Sequence, residues 1–261
     1  MTIDHKAIYN TETVSRDYAS REYIEPAEKT FLDEYSPVLK EMNMLDMGVG
    51  GGRTTKYFAP VVKKYTGADY APAMIEACRK RYRNKYEFLE ADARNMAEFN
   101  DSIFDFVLFS FNGIDSFSQR DRFSALREIN RVLKINGIFF FSSHNLEWTE
   151  LVDRFRIRQN RNKNRFTQQA LKNIRLNLQN KSLNMANYID KLRKNSKGHI
   201  YDNSLDGKAK VYYITPSEQI SQLAQCGFKD IETYSLNGVK TGDKDILNTG
   251  GWVYYLCRAI K

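Results

Sequence analysis

The densest chemistry in the chain sits around one short turn. Leu45-Asp46-Met47-Gly48-Val49-Gly50-Gly51-Gly52-Arg53 sets glycines at alternate positions directly after an apolar run. Glycines so spaced turn tightly and let a ligand approach the backbone where the next helix begins. A dinucleotide-binding turn has its third glycine one place later, and here that place is Arg53. Asp46, two residues before the first glycine, reads either as a ligand group or as a structural carboxylate receiving turn amides. Asp69 stands 17 residues after Gly52 at the end of the next strand. A carboxylate there accepts hydrogen bonds from both hydroxyls of a ribose. His144, one of three histidines, lies in Ser142-Ser143-His144-Asn145, where a later strand ends. Its imidazole reads as a general base for a hydroxyl or amine nucleophile, or as an acceptor-binding group. The alternative is a histidine hydrogen-bonded to backbone. Tyr18 and Tyr23 either close over a cationic ligand or pack an N-terminal helix. No paired carboxylates, HxH, HExxH or Ser-His-Asp pattern signals metal or acyl-transfer chemistry.

These residues need a frame, and the hydrophobic pattern supplies one. Residues 1–40 read as one or two tyrosine-rich helices. Strands follow at Met42–Met47, Tyr65–Asp69, Tyr86–Ala91, Phe104–Phe111 and Ile138–Ser143, with helices at Thr54–Val62, Pro72–Arg83 and Arg120–Ile135 between them. Asn136-Gly137 reads as the cap of the last helix. Phe104–Phe111 is continuously apolar, as expected of a strand covered on both faces. Alternating units of this kind imply a parallel sheet with right-handed crossovers. Residues 146–210 break the rhythm: Leu171, Ile174 and Leu178, then Met185, Ile189 and Leu192, fall at helical spacing. The pattern resumes with Val211–Thr215 extended, Pro216–Cys226 helical, and strands at Lys229–Leu236 and Trp252–Ala259.

Several motifs in this order resemble class I S-adenosylmethionine (SAM)-dependent methyltransferases. The glycine turn is similar to the family's first motif, and Asp69-Tyr70-Ala71-Pro72-Ala73-Met74 to its second. Ala71 departs from the family's usual serine, which loses a helix N-cap. Glu90-Ala91-Asp92-Ala93 looks like the adenine-edge motif, Phe104–Asn112 like the fourth strand and the loop beneath the methyl group, and Leu126–Gly137 like the helix and turn before strand five. The resemblance implies a seven-stranded, mostly parallel α/β sheet with helices on both faces and an antiparallel last strand. N-terminal helices and the helical insertion would form a lid. It implies SAM as cofactor and S-adenosylhomocysteine as product. The implied cofactor residues are Asp46, Gly48, Gly50, Gly52, Asp69, Tyr70, Met74, Asp92, Ala93, Phe109 and Tyr18, with Met74 read equally as core. Tyr23, Phe111, Asn112 and Asn145 are implied at the acceptor. The chain then divides into an N-terminal cap (1–40), a SAM-binding core (41–145), a basic insertion (146–210) and the rest of the core (211–261), in one domain.

Charge bears on the acceptor. The chain carries +8 overall, yet residues 151–210 hold seven Arg and eight Lys against four Asp, a net +11, while the remainder is −3. A basic lid suits a small-molecule acceptor that is anionic. The alternative is an RNA methyltransferase whose insertion grips phosphates. A non-catalytic SAM-binding protein is the lower alternative. Aminopropyl transfer would want acidic residues for a polyamine, and Asp115 alone is thin support. Cys78, Cys226 and Cys257 lack CxxC spacing, which fits a reducing cytosol. No apolar run suits a signal peptide or a membrane span. The expected setting is cytoplasmic, with no membrane partner.

Overall fold

The apolar runs become strands of one sheet in the computed structural model, which describes residues 5–157, 159–160, 165–166, 168–182 and 184–261. Three helices come first, α1 (His5–Tyr9), α2 (Glu12–Ser20) and α3 (Pro26–Leu39). Then follow β1 (Asn43–Met47), α4 (Thr55–Phe58), β2 (Lys64–Asp69), α5 (Pro72–Tyr82), β3 (Glu87–Glu90), β4 (Phe104–Phe109), α6 (Gln119–Val132) and β5 (Leu133–Asn145). The insertion holds a two-stranded ribbon, β6 (Gln159–Asn160) with β7 (Arg165–Phe166), then α7 (Gln168–Gln179), α8 (Met185–Lys194) and β8 (Lys197–Tyr201). The chain closes with β9 (Lys210–Ile214), α9 (Pro216–Gln225), β10 (Phe228–Tyr234), α10 (Lys244–Leu247) and β11 (Trp252–Ala259).

The main sheet runs β10-β11-β5-β4-β1-β2-β3, parallel from β5 to β3, with β11 antiparallel to both neighbours. Alternate side chains take opposite faces. On one face Leu45, Val107, Phe139 and Tyr255 meet Leu126 and Ile129 of α6 and Leu223 of α9. On the other Met44, Phe106, Phe140 and Tyr254 meet Phe31 of α3, Phe58 of α4 and Ile75 and Cys78 of α5. Both faces are therefore covered, which is why the strands read as continuous apolar runs. Among the described residues no helix is long and apolar enough to cross a membrane.

The sheet has nine strands rather than seven. β5 is 13 residues long and outruns β4, whose pairing ends at Phe109↔Phe141. The free length pairs instead with β9 at His144↔Tyr213 and Asn145↔Ile214, and β9 brings β8 with it. Asn136-Gly137 lies inside β5, beyond the end of α6 at Val132, with Asn136 at φ 58°. The insertion has its own core, built from Leu146, Phe155, Leu176, Met185, Ile189 and Ile200. On α8 the buried stripe is the expected one. On α7 it is offset: Leu171 and Leu178 are exposed while Asn173 and Asn177 are buried. Those asparagines donate to the carbonyls of Arg156 and Phe155 at 2.8 and 3.4 Å, satisfying an irregular segment that no strand pairs.

Candidate functional site

Two hollows meet at the carboxyl end of the parallel strands, where ligands bind in open α/β sheets. The first encloses about 810 Å³ with its mouth included and is lined by the glycine turn, the ends of β1, β2 and β4, and α2. The second encloses about 1340 Å³ and reaches from α1 and α2 to His144 and the insertion. Tyr9, Tyr18, Arg21, Phe111 and Ser116 line both, so these side chains divide one continuous space.

Gly48 and Gly50 have φ of +66° and +54°, a conformation glycine takes without penalty. A Cβ at Gly48 would sit 2.6 Å from the Phe109 ring, and one at Gly51 would sit 2.2 Å from the Ala19 nitrogen at the end of α2. The turn is thus pressed between β4 and the N-terminal helices. Its Gly50 amide donates to Asp69 Oδ2 at 3.0 Å, and the Ala71 amide to Oδ1 at 2.9 Å. One amide per oxygen fixes the Asp69 carboxylate and leaves lone pairs for two ligand hydroxyls. Burial pushes Asp69 up to about 6 against those amides. Asp46 receives Thr54 Oγ1 at 2.5 Å and Tyr65 OH at 2.7 Å, both on Oδ2, and burial pushes it up to about 6 as well. Two desolvated carboxylates gain most from a ligand that brings hydroxyl donors and positive charge.

Of the cofactor residues expected from sequence, Asp46, Gly48, Gly50, Asp69, Tyr70, Met74, Ala93, Phe109 and Tyr18 line the first hollow. Gly52 and Asp92 lie outside its lining. Gly52, at φ +80°, accepts the Tyr82 hydroxyl on its carbonyl at 2.7 Å and shapes the turn from behind. Asp92 is held by Arg94, whose Nη2 donates at 2.6 Å. Burial would raise Asp92, but the Arg94 bonds outweigh it and lower its pKa. Phe111, Asn112 and His144 line the second hollow, and Tyr23 and Asn145 do not. Tyr23 is exposed and takes Arg53 Nη1 on its carbonyl at 3.1 Å. Asn145 is buried and ties β5 to the loop before β11, donating to the Leu247 carbonyl at 3.2 Å and Asn248 Oδ1 at 3.1 Å.

His144 has a partner that its sequence neighbours do not reveal. Asp115 is fully buried, and its Oδ2 accepts from the His144 amide at 2.6 Å and pairs with His144 Nδ1 at 2.7 Å. Its Oδ1 accepts from Ser143 Oγ at 2.7 Å and from Arg122, which is also fully buried. Arg122 continues to Gln219 Oε1 at 2.5 Å and lies 4.5 Å over the Tyr212 ring. Burial works to lower the His144 pKa, yet the Asp115 bond and charge outweigh it and raise it. A carboxylate on Nδ1 fixes the tautomer in which Nε2 is free to take a proton. Asp115 is 29 residues from His144 in sequence, and only the β4–β5 crossover joins them.

Arg53, the residue that replaces the dinucleotide glycine, makes a forked ion pair with Glu28 of α3, at 2.6 Å on each oxygen. Both are buried, and Ser110 and Tyr254 also reach Glu28 Oε1. Burial alone would lower Arg53, whereas the two Glu28 bonds raise it. The pair fastens the N-terminal helices to the turn. Arg53, Tyr9 and Arg21 line the first hollow without having been singled out as ligands in the sequence. Tyr9 packs edge-on to Tyr18 and Tyr70 at 5.8 and 6.2 Å, and a tyrosine-rich N-terminus was its only signal.

The fold is that of class I SAM-dependent methyltransferases. Residues 45–141 match the model of a family described as a methyltransferase domain. The chain is also 36% identical over 55 residues to a non-reducing polyketide synthase of Emericella nidulans, a stretch covering 19% of this chain and 2% of that protein. Among solved structures, a SAM-dependent methyltransferase of Clostridium acetobutylicum superposes with a TM-score of 0.61 at 12% identity, covering 90% of this chain and 92% of that one. The 1,6-didemethyltoxoflavin-N1-methyltransferase of Burkholderia thailandensis, with 1,6-didemethyltoxoflavin and S-adenosylhomocysteine bound, gives 0.56 at 14% identity, covering 98% and 88%. SAM is the cofactor of this fold, and the first hollow fits it. Asp69 retains lone pairs for a ribose, aromatic rings and the Met74 thioether line the wall, and Asp46 adds a second carboxylate to the lining.

Proposed function

We propose that the chain transfers the methyl group of SAM to an oxygen or nitrogen of a small-molecule acceptor held in the second hollow. The Asp115–His144 pair carries this reading, because it presents a proton acceptor in the hollow adjoining the cofactor. Bound in the first hollow, SAM would supply an electrophilic methyl carbon with sulfur as the leaving group, and His144 Nε2 would take the proton that the acceptor's oxygen or nitrogen gives up on methylation. The remaining work of the protein is alignment and exclusion of water. Tyr9, Tyr18, Arg21 and Phe111 stand at the seam of the two hollows and so touch both reactants. The small-molecule reading is favoured over RNA by the second hollow's lining: among the described residues, no Lys or Arg of 151–210 contributes to it.

Two measurements test this. Calorimetric titration with SAM should show one-site binding, and no binding refutes every enzymatic reading. Incubation of the protein with methyl-labelled SAM and a metabolite extract, followed by mass spectrometry, should label a small molecule. Label appearing in added RNA and in no metabolite would overturn the choice of acceptor.

A further inference from the structure

The charges around His144 do not balance once it takes a proton. Asp115 pairs with Nδ1 at 2.7 Å, but the same carboxylate also holds Arg122, and both are fully buried. With His144 neutral, Asp115 and Arg122 cancel. A proton taken at Nε2 leaves one uncompensated positive charge in a desolvated setting, which is costly unless a further carboxylate answers it. Asp202, which follows β8 in the insertion, is only 9% exposed. Its charge acts on His144 in the direction that favours the protonated ring.

Tyr213 links the two. It pairs with His144 across β5 and β9, and the two rings lie 4.8 Å apart at 37°. Its hydroxyl donates to Asp202 Oδ2 at 2.7 Å. Ser204 fixes that carboxylate, its amide donating to Oδ1 at 2.7 Å and its hydroxyl to Oδ2 at 3.1 Å. Burial first, then the charge of Asp202, raise Tyr213 well above the usual value, so its hydroxyl keeps its proton and stays the donor. A phenol that donates to a carboxylate is polarised toward a more electron-rich ring. A cation within about 6 Å of the face of such a ring is attracted to it. The stack therefore favours imidazolium over imidazole. No other charged group near His144 does the same beyond Asp115. Arg122 opposes its protonation, and Arg154 opposes Asp202 at Tyr213. Across the second hollow α1 and α2 present Tyr9, Tyr18 and the pair Asp17 and Arg21, bonded to each other at 2.8 Å.

We infer that Asp202 and Tyr213 are positioning residues for proton acceptance at His144: the carboxylate, working through the ring stacked on the imidazole, balances the charge that appears when Nε2 is protonated. The insertion then supplies part of the proton-accepting centre as well as a wall of the hollow. The inference rests on the methyl-transfer reading above for the origin of the proton.

The test follows the ring C–H resonances of His144 by NMR across pH, in the full chain and in three variants of it. Asp202→Asn keeps an oxygen for the Tyr213 hydroxyl and removes the charge. Tyr213→Leu removes the ring, and Tyr213→Phe keeps the ring without its hydroxyl. Asp202→Asn should lower the His144 titration by about half a unit to one unit, less than the loss of a charge in direct contact. Tyr213→Leu should lower it by about 0.4–1.5 units, the range of a cation–ring contact. Tyr213→Phe should recover most of that fall. A purely structural role would lower the urea midpoint of the variants and leave the titration in place. An unmoved or higher His144 titration in Asp202→Asn, or in a folded Tyr213→Leu, would overturn the inference. A Tyr213→Phe titration as low as that of Tyr213→Leu would overturn the ring's part in it. Should Tyr213→Leu fail to fold, Asp202→Asn decides. The acid limb of kcat/KM should move to lower pH by the same amount, because the base must be neutral to act. A lowered titration in a protein that transfers no methyl group supports the inference and counts against the methyl-transfer reading alone.

Discussion

Replacing Asp115 by asparagine should reset His144, and the structure dictates how. Asp115 Oδ2 serves two donors on His144, the backbone amide at 2.6 Å and the ring Nδ1 at 2.7 Å, while Oδ1 serves Ser143 and Arg122. An asparagine has one oxygen for these two sets of donors. If the oxygen stays with Arg122, the NH₂ faces the His144 amide, and Nδ1 must become an acceptor with its proton moved to Nε2. If it turns to His144, a fully buried guanidinium loses an acceptor as well as the counter-charge that either orientation removes. Either way the bond and charge of Asp115, the larger causes that raise His144, are gone, and burial and Arg122, both of which lower it, remain, opposed only by the charge of Asp202. A carboxylate in contact shifts a neighbour by roughly 1–3 units, or about 1.4–4 kcal/mol. His144 should therefore titrate above 6.5 in the wild type and below it in Asp115→Asn. With three histidines in the chain, ring C–H resonances followed by NMR across pH resolve it. The linkage has a defined sign. A histidine raised on folding adds stability below its unfolded pKa, and that stability is lost as pH rises through the folded value. The wild type should lose this increment above pH 6.5, and the variant should not. In turnover, the wrong tautomer should cost about 10²–10⁴-fold in kcat while the affinity for S-adenosylhomocysteine holds. An unchanged His144 titration in the variant would refute the coupling, and unchanged turnover would refute the base.

Two further outcomes follow from the buried charges. Glu28→Gln leaves the Arg53 guanidinium buried without its counter-charge, so the variant should lose about 3–5 kcal/mol in urea unfolding. A loss below about 1 kcal/mol, the range of exposed pairs, would show that the pair does not fasten the helices. Asp46 and Asp69 are both raised to about 6, so their carboxylate forms, which a cationic, hydroxyl-bearing cofactor prefers, decline as pH falls through that value. SAM affinity measured by calorimetry should be level above pH 7 and weaken below about 6, and flat affinity down to pH 5 would remove both carboxylates from the contact.

The amount legible in the sequence differed between the two hollows for a physical reason. The cofactor side is local. Gly48 and Gly50 need left-handed backbone, Asp69 ends the strand beside them, and its bonds to the Gly50 and Ala71 amides are made by the two turns themselves. Strand ends at a parallel sheet's carboxyl edge are adjacent once the order of elements is known, so these residues converge with little help from side-chain packing. Asp92 follows in the same motif order but lies outside the first hollow's lining and pairs with Arg94, two residues away, an ion pair that motif spacing does not encode.

The acceptor side is not local. His144 was visible at a strand end, but its surroundings depend on Asp115, Arg122 and Gln219, brought together from the loop between β4 and α6, from α6 and from α9 by packing across one face of the sheet. The basic insertion announced itself by charge, yet which of its residues face the hollow was decided by β9 seizing the free end of β5, with Asn203 and Ser204 carried to the wall beside Val211 of β9. Taken alone, the sequence determined the α/β frame and the glycine turn that lines the first hollow, because backbone conformation and hydrophobic period are properties of short segments. Only the tertiary structure decided the partner of His144 and the shape of the second hollow, because those arise from contacts between residues far apart in the chain.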